Sequence, residues 1–371
     1  MSSSFLKCRG WVAQEEVPQW ASSAVSLLTD VVVYPPGLEQ VRVKVIVSGV
    51  NRADCRRVTL PRTKTAQKPA PNEKDVFPGA PLKKVFHEPP LYPYPCVVGC
   101  DGAGIIESIG QQVTDFKVGD VVMFHSDATK AYGGTLCEYT LVDVDAVVRI
   151  PVKRGIPTVN LQNAAAMPCS VWTIYIALFD KLRIEKDRCI FIDGVTNIQG
   201  RSAVQLAHNM GLFVLATCPD DDMENVELLG ADVVFDLHSH SSVATEVLQI
   251  TNGFGTDYYL AVSPDANVAA YMDVVRFGGS LCLTSGQLAP TTESLLERQL
   301  SVHYVSLDSL YSNALTRRHL RFIGEQVLDL YRKSAFTIDS VAMPFDKAGE
   351  ALNNVAAGES VYRSIVIAIT K

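Results

Sequence analysis

The stretch from Cys189 to Met210, CIFIDGVTNIQGRSAVQLAHNM, constrains the fold more than any other part of the chain. It opens with the short apolar run Cys189 to Ile192, which has the length and composition of a parallel strand buried on both faces. From Arg201 onward Ala203, Val204, Leu206, Ala207 and Met210 fall at helical spacing. The segment Gly194 to Gly200 must therefore carry the backbone from strand end to helix start. Such a turn can hold a pyrophosphate, because glycines let the backbone approach the phosphates while the free N–H groups and dipole of the helix N-terminus favour negative charge. Gly194 and Gly200 sit at its two ends, and Asn197 is the residue between them that most readily tolerates positive φ. An ordinary strand-turn-helix would read the same way, so these residues alone do not choose.

The alternation continues on both sides. Strands are expected at Leu212 to Thr217, Val233 to Asp236, Tyr258 to Val262, Ser280 to Thr284 and Val302 to Leu307. Helices are expected at Ala164 to Leu178, Met223 to Leu229, Val243 to Ile250 and Val268 to Phe277, with turns at Gly211, Gly230, Asn252-Gly253 and Gly278-Gly279. Strands that alternate with helices make βαβ units and a parallel sheet. Before residue 150 the pattern differs: short strands at Val31 to Tyr34, Val41 to Val47, Gly104 to Ile109, Val121 to Phe124 and Leu136 to Val142, bounded by Pro, Gly or Asp, read as a small all-β unit. Thr59 to Pro95 is rich in proline and lysine with no sustained period, and reads as a long loop or lobe. A helix from Thr316 to Tyr331 and short strands up to Ile369 would return the chain to the β unit.

The composition, 47% apolar and 20% charged, is that of a soluble globular protein, and 371 residues are enough for two domains. A formal charge of −7 with scattered Lys and Arg offers no basic surface for a nucleic acid. No run is long enough to span a bilayer. The N-terminus lacks the apolar core of a secretory signal and reads as a first strand. Nine cysteines without paired spacing suggest reduced thiols and a cytoplasmic protein.

Seven words in order and in register narrow the reading: GVNRAD (Gly49 to Asp54), VVGCDGAGIIESIG (Val97 to Gly110), VTDFKVGDVV (Val113 to Val122), AAAMPCSVWTIYIAL (Ala164 to Leu178), AVQLAHNMG (Ala203 to Gly211), LLGADVVFD (Leu228 to Asp236) and AAGESVYRSIVI (Ala356 to Ile367). With these the chain resembles the medium-chain dehydrogenases/reductases, specifically the zinc-independent quinone oxidoreductase (zeta-crystallin-like) branch. The resemblance implies an α/β architecture: a GroES-like β-rich catalytic domain over 1–157 and 308–371, carrying the 59–95 insertion, and a Rossmann doubly wound parallel sheet over 158–307. It implies an NAD(P)H-dependent reductase of quinones or α,β-unsaturated carbonyls working by metal-free hydride transfer, and a homodimer formed through the strand near Val302 to Leu307. Asn51 and Thr173 would line the nicotinamide pocket and Gly286 would border it. Gly194, Asn197, Gly200, Thr217 and Arg363 would serve the cofactor, NADP(H) or NAD(H). Tyr94, with Tyr92, is a candidate proton donor, since related enoyl reductases use a tyrosine from this region. Each has a plainer reading as well: Asn51 as a turn residue, Thr173 as a helix hydroxyl bonded to its own backbone, and LYPYP as a proline-stiffened surface segment.

In the zinc alcohol dehydrogenases the positions of Asn51, Cys100 and Cys169 are typically Cys, His and Cys. Asn51 is not a credible zinc ligand, the structural four-cysteine cluster is missing, and no zinc is expected. Other departures bear on the cofactor. Asn197-Ile198 stands where relatives carry two glycines, and Ala261 and Pro264 replace a customary Asp and Gly. Asp220-Asp221-Asp222 follows the second strand, where each carboxylate would repel a 2′-phosphate by roughly 1 kcal/mol. Acidic residues there suit the ribose hydroxyls of NAD. The alternative these departures raise is a non-catalytic member with weakened nucleotide binding, acting as a binding or scaffold protein.

Overall fold

The structure is a computed structural model that describes residues 5–59, 94–127, 130, 133–238, 240–263, 268–284, 292–358 and 362–370. Most of the 59–95 insertion, Tyr92, Pro264 and Gly286 lie outside the described residues.

Six strands form one all-parallel sheet: β1 (Cys189–Asp193), β2 (Phe213–Cys218), β3 (Val233–Asp236), β4 (Thr256–Ala261), β5 (Val275–Leu283) and β6 (Ser301–Tyr304). Their spatial order is β3-β2-β1-β4-β5-β6. The order reverses between β1 and β4, the switch point at which a doubly wound sheet opens a crevice beyond its carboxyl ends. Alternate side chains along each strand feed two separate cores. Phe191, Leu215, Tyr259 and Leu281 pack on one face, and Ile190, Ile192, Val214, Leu260 and Cys282 on the other. The period-2 geometry of a strand covered on both faces produces this division.

Two helices differ from expectation. The helix starting at Val268 stops at Tyr271, and after a tight turn Val275 already belongs to β5. Val274 and Val275 are both fully buried, and Val275 pairs with Thr256 before the ladder slips to Tyr258 opposite Ser280. The intervening residues bulge around Gly278, which has φ +69°. β-Branched burial and a glycine bulge thus override the apparent helical spacing. The other helix, expected from Ala164 to Leu178, is regular only over Leu161–Ala166; wider π turns run through Pro168–Trp172 and Ile176–Lys181. Pro168 lacks the N–H that would continue the ladder. Such widened turns turn side chains out at functional sites, and here the first carries Cys169 and Ser170, with Thr173 directly after it.

The β-rich unit is closed by both ends of the chain. Strand Ser364–Ala368 lies antiparallel to Gln40–Gly49, with Ile367 opposite Ser48, and Ser340–Pro344 pairs with it on its other side. Asp101–Ile109, Val121–His125 and Val147–Arg149 continue the sheet, and Tyr139–Asp143 also pairs with Gln40–Gly49. All nine cysteines are free. Among the described residues no helix is long and apolar enough to cross a membrane.

Phe191 is fully buried, with Phe235, Tyr259 and Tyr271 around its ring. Phe191→Ala should cost about 3–5 kcal/mol, read as a lower midpoint in urea denaturation.

Candidate functional site

A cleft of about 630 Å³ opens beyond the carboxyl ends of the parallel strands. Its floor carries residues that directly follow five of them: Leu237 and His238 after β3, Thr196 to Gln199 after β1, Val262 and Ser263 after β4, Thr284 after β5 and Val305 after β6. Its opposite wall comes from the β unit and the widened helix, with Asn51, Cys169, Ser170 and Thr173.

The turn at its centre is fixed from behind. Gly194 has φ +87°, and a Cβ there would sit 2.3 Å from that of Ser263. A Cβ on Gly200 would meet the Val195 Cα at 2.7 Å, so this glycine lets the helix close against the turn. Asn197 is not in the left-handed conformation expected of it. Its φ is −152°, and it caps helix Ile198–Asn209 by accepting the Gly200 N–H through Oδ1 at 3.2 Å. The cap satisfies one of the helix's leading donors and leaves the N–H groups of Ile198 and Gln199 at the cleft. The Ile198 side chain is half-buried and packs on the core as well as bordering the cleft.

Thr217 sits deeper than a cofactor contact would require. It is fully buried, accepting the Gly194 N–H at 2.8 Å and donating to Asp193 Oδ1 at 2.7 Å. Tyr259 donates to Asp193 Oδ2 at 3.1 Å. Burial first, and then Asp193, hold the Tyr259 phenol well above its ordinary pKa, so it stays a donor. Thr217 therefore shapes the turn from beneath.

Asn51 precedes helix Arg52–Thr59, and its backbone N–H donates to Asp54 Oδ2 at 2.8 Å while Asp54 N–H donates back to Asn51 O at 3.0 Å. Its side-chain amide donates to Asp101 Oδ2 at 3.0 Å and faces Cys100 Sγ at 3.8 Å. Asp101 also accepts the Cys169 N–H, at 2.9 and 3.0 Å to its two oxygens. Burial nevertheless prevails over these donors and pushes the Asp101 pKa up to about 8. Thr173 gives its proton to Cys169 O at 2.6 Å, so its hydroxyl meets the cleft as an acceptor. Thr173 thus bonds its own helix and also lines the cleft.

Arg363 borders the cleft from an exposed position, paired with Asp339 at 2.7 Å. Tyr94 does not reach the cleft wall; its hydroxyl approaches Arg57 O at 3.4 Å. Gly286 lies outside the described residues. Sequence reasoning missed the positive rim formed by Arg52, Arg56 and Arg57 on one helix, and the ion pair of Arg57 with Asp308. The i, i+4, i+5 spacing of these arginines after GVN was the available signal. His125 is buried beneath the cleft, and burial pushes its pKa down to about 3.

Residues 37–152 match the alcohol dehydrogenase GroES-like domain and residues 200–321 the zinc-binding dehydrogenase domain. The chain is 32% identical over 244 residues to the trans-enoyl reductase himH of Aspergillus japonicus, a match covering 61% of this chain and 68% of that one. It is 24% identical over 348 residues to a mouse (Mus musculus) quinone oxidoreductase, covering 92% and 93%. The crystal structure of a Pseudomonas syringae pv. Tomato DC3000 quinone oxidoreductase superposes with a TM-score of 0.76 at 19% identity, over 97% of this chain and 99% of that one. The chain belongs to the medium-chain dehydrogenase/reductase superfamily, in its quinone oxidoreductase-like branch. As an oxidoreductase of this branch it binds a nicotinamide dinucleotide, and its cleft fits one. The open helix N-terminus lies at the cleft, Gly194 keeps the turn low, and Thr173 presents an acceptor on the far wall. In this oxidoreductase the Cys100 and Cys169 thiols and His125 converge below the cleft, while Asn51 engages Asp101.

Thr217→Val should leave the buried Gly194 N–H without its acceptor and take one donor from Asp193, costing about 1–3 kcal/mol, whereas Thr217→Ser should retain most of the stability. Thermal denaturation of the two variants checks this.

Proposed function

We propose that this chain reduces quinones or α,β-unsaturated carbonyls with a hydride from a reduced nicotinamide dinucleotide. The observation that carries the reading is the cleft itself, which joins the carboxyl ends of the parallel strands to a wall bearing Asn51 and Thr173. The dinucleotide supplies the hydride, and the chain supplies position. The Ile198 and Gln199 N–H groups would hold the pyrophosphate, and the Thr173 hydroxyl would accept from the carboxamide. Asn51, braced by Asp101, would form the wall beside the substrate. Relatives that are quinone oxidoreductases and trans-enoyl reductases support this reading over a non-catalytic scaffold.

Nucleotide choice follows from the end of β2. Asp222 pairs with Arg201 at 2.5 Å, and the Arg201 guanidinium lies 5.7 Å from the Tyr362 ring centroid. Asp221 accepts from the Tyr362 hydroxyl at 2.9 Å. The guanidinium nearest the ribose position is thus already neutralised, and the carboxylates suit ribose hydroxyls, which favours NADH over NADPH. The same reading includes a cytoplasmic location, supported by the nine free thiols, and a homodimer through the edge strand β6.

Purified protein mixed with NADH and an ortho-quinone or an aliphatic enone should consume the reduced nicotinamide absorbance. Failure with every acceptor, together with no NADH or NADPH binding at millimolar levels, would refute the assignment. Asp221→Ser should raise kcat/KM for NADPH about fivefold, the equivalent of removing one repulsion of roughly 1 kcal/mol, with a smaller effect on NADH. Steady-state kinetics with both nucleotides measures that ratio.

A further inference from the structure

Hydride addition to a carbonyl compound puts a growing negative charge on the carbonyl oxygen, and a donor already aimed at that oxygen lowers the barrier. The small polar side chains of the cleft wall are not available for this. Asn51 directs its amide hydrogens at Asp101 Oδ2, 3.0 Å away, and at Cys100 Sγ, 3.8 Å away. Thr173 spends its one hydrogen on Cys169 O, and Ser170 points its hydroxyl at Asn51 Oδ1, 3.5 Å away.

Helix Arg52–Thr59 offers a different kind of donor. At about 100° per residue, Arg52, Ala53, Arg56 and Arg57 occupy one side of it and line the cleft, while Asp54, Cys55 and Val58 are buried behind. Arg52 and Arg56 are exposed at the rim, whereas the Arg57 side chain is only 9% exposed. Its Nη2 is paired with Asp308, which follows β6 on the other side of the cleft. Asp54 stands 3.8 Å from Nη1, too far for a hydrogen bond. Among the described residues Nε and Nη1 have no partner, although both are buried. Unfilled guanidinium hydrogens in such a place are costly and call for a reason.

We propose that Arg57 is the catalytic residue that receives the substrate's carbonyl oxygen as it becomes an oxyanion, with Asp308 as the positioning residue that holds the guanidinium at the cleft. The inference rests on the reductase reading above. An enone gains the hydride at its β-carbon, its carbon–carbon π pair moves toward the carbonyl, and the carbonyl pair passes to oxygen. The resulting enolate is the charge that Arg57 meets. An arginine keeps its proton at any ordinary pH, so the proton that completes the saturated ketone comes from water. Nε and Nη1 are covered from solvent, so the side chain must swing outward about its pair with Asp308 to touch the oxygen. The fork of an arginine allows this, because it can keep one acceptor while donating to a second; a lysine presents a point charge without that geometry.

Two measurements on the full chain test the assignment. The first is equilibrium titration with 4-nitrophenol in the presence of the oxidised nucleotide, the phenolate standing in for the enolate oxygen and reporting its own ionisation by absorbance. Wild type should prefer the anion about tenfold, a drop of about one unit in the bound phenol's pKa. Arg57→Gln should lose that preference while its NADH affinity, followed by nicotinamide fluorescence, stays unchanged. The second is steady-state reduction of an enone. Arg57→Gln should lower kcat about a hundredfold, Arg57→Lys should be less impaired, and millimolar guanidinium should raise the rate of Arg57→Ala but not of wild type. Wild type that binds the phenol only in its neutral form would overturn the proposal, as would an Arg57→Gln variant with unchanged kcat. Should wild type reduce no acceptor at all, the reductase reading falls, and the wild-type phenol titration still decides whether Arg57 receives an oxyanion. That titration also decides if a variant does not fold.

Discussion

A single buried carboxylate holds the centre of this molecule together. Asp193 ends β1 with no solvent to stabilise its charge, and it is supported by hydroxyls from both neighbouring strands, Thr217 of β2 and Tyr259 of β4. A buried polar group of this kind is destabilising unless its partners are in place. The network therefore ties strand register to the shape of the turn: Thr217 also receives the Gly194 N–H, and Val262 N–H donates to Asp193 O. Once β1, β2 and β4 are aligned, the backbone after Asp193 has little freedom left. The helix that follows then presents its N-terminus to the cleft.

A second carboxylate does similar work on the opposite wall. Asp101 receives the amide of Asn51 and the backbone of Cys169, joining the first helix of the β unit to the irregular helix beyond Pro168. Side chains that line one cleft come from segments more than a hundred residues apart, and fixed hydrogen bonds rather than apolar packing alone set their separation.

Much of the architecture was legible in the sequence because strand and helix periods differ and the alternation between them is long. The parallel sheet and the return of the C-terminal segment to the β unit both came from pattern and resemblance. Where reading failed, a local rule met a stronger tertiary one. Val274 and Val275 fit a helical stripe but are taken by the sheet, and Asn197 suited positive φ but serves better as a cap. Thr217 was read as a ligand contact because it ends β2, yet its hydroxyl is held within the scaffold. Convergence of His125 with Cys100 depends on the pairing of two strands, and no spacing along one chain reveals which residues of adjacent strands face each other.

The hydrogen bond from Tyr362 to Asp221 joins a residue just before the closing strand of the β unit to the loop after β2. With Arg201 stacked on the same ring, it forms a latch between the two halves of the molecule. A motion that parts the two halves along this edge must release the latch. The loop after β2 and the segment leading into the closing strand therefore move as one while this latch is made.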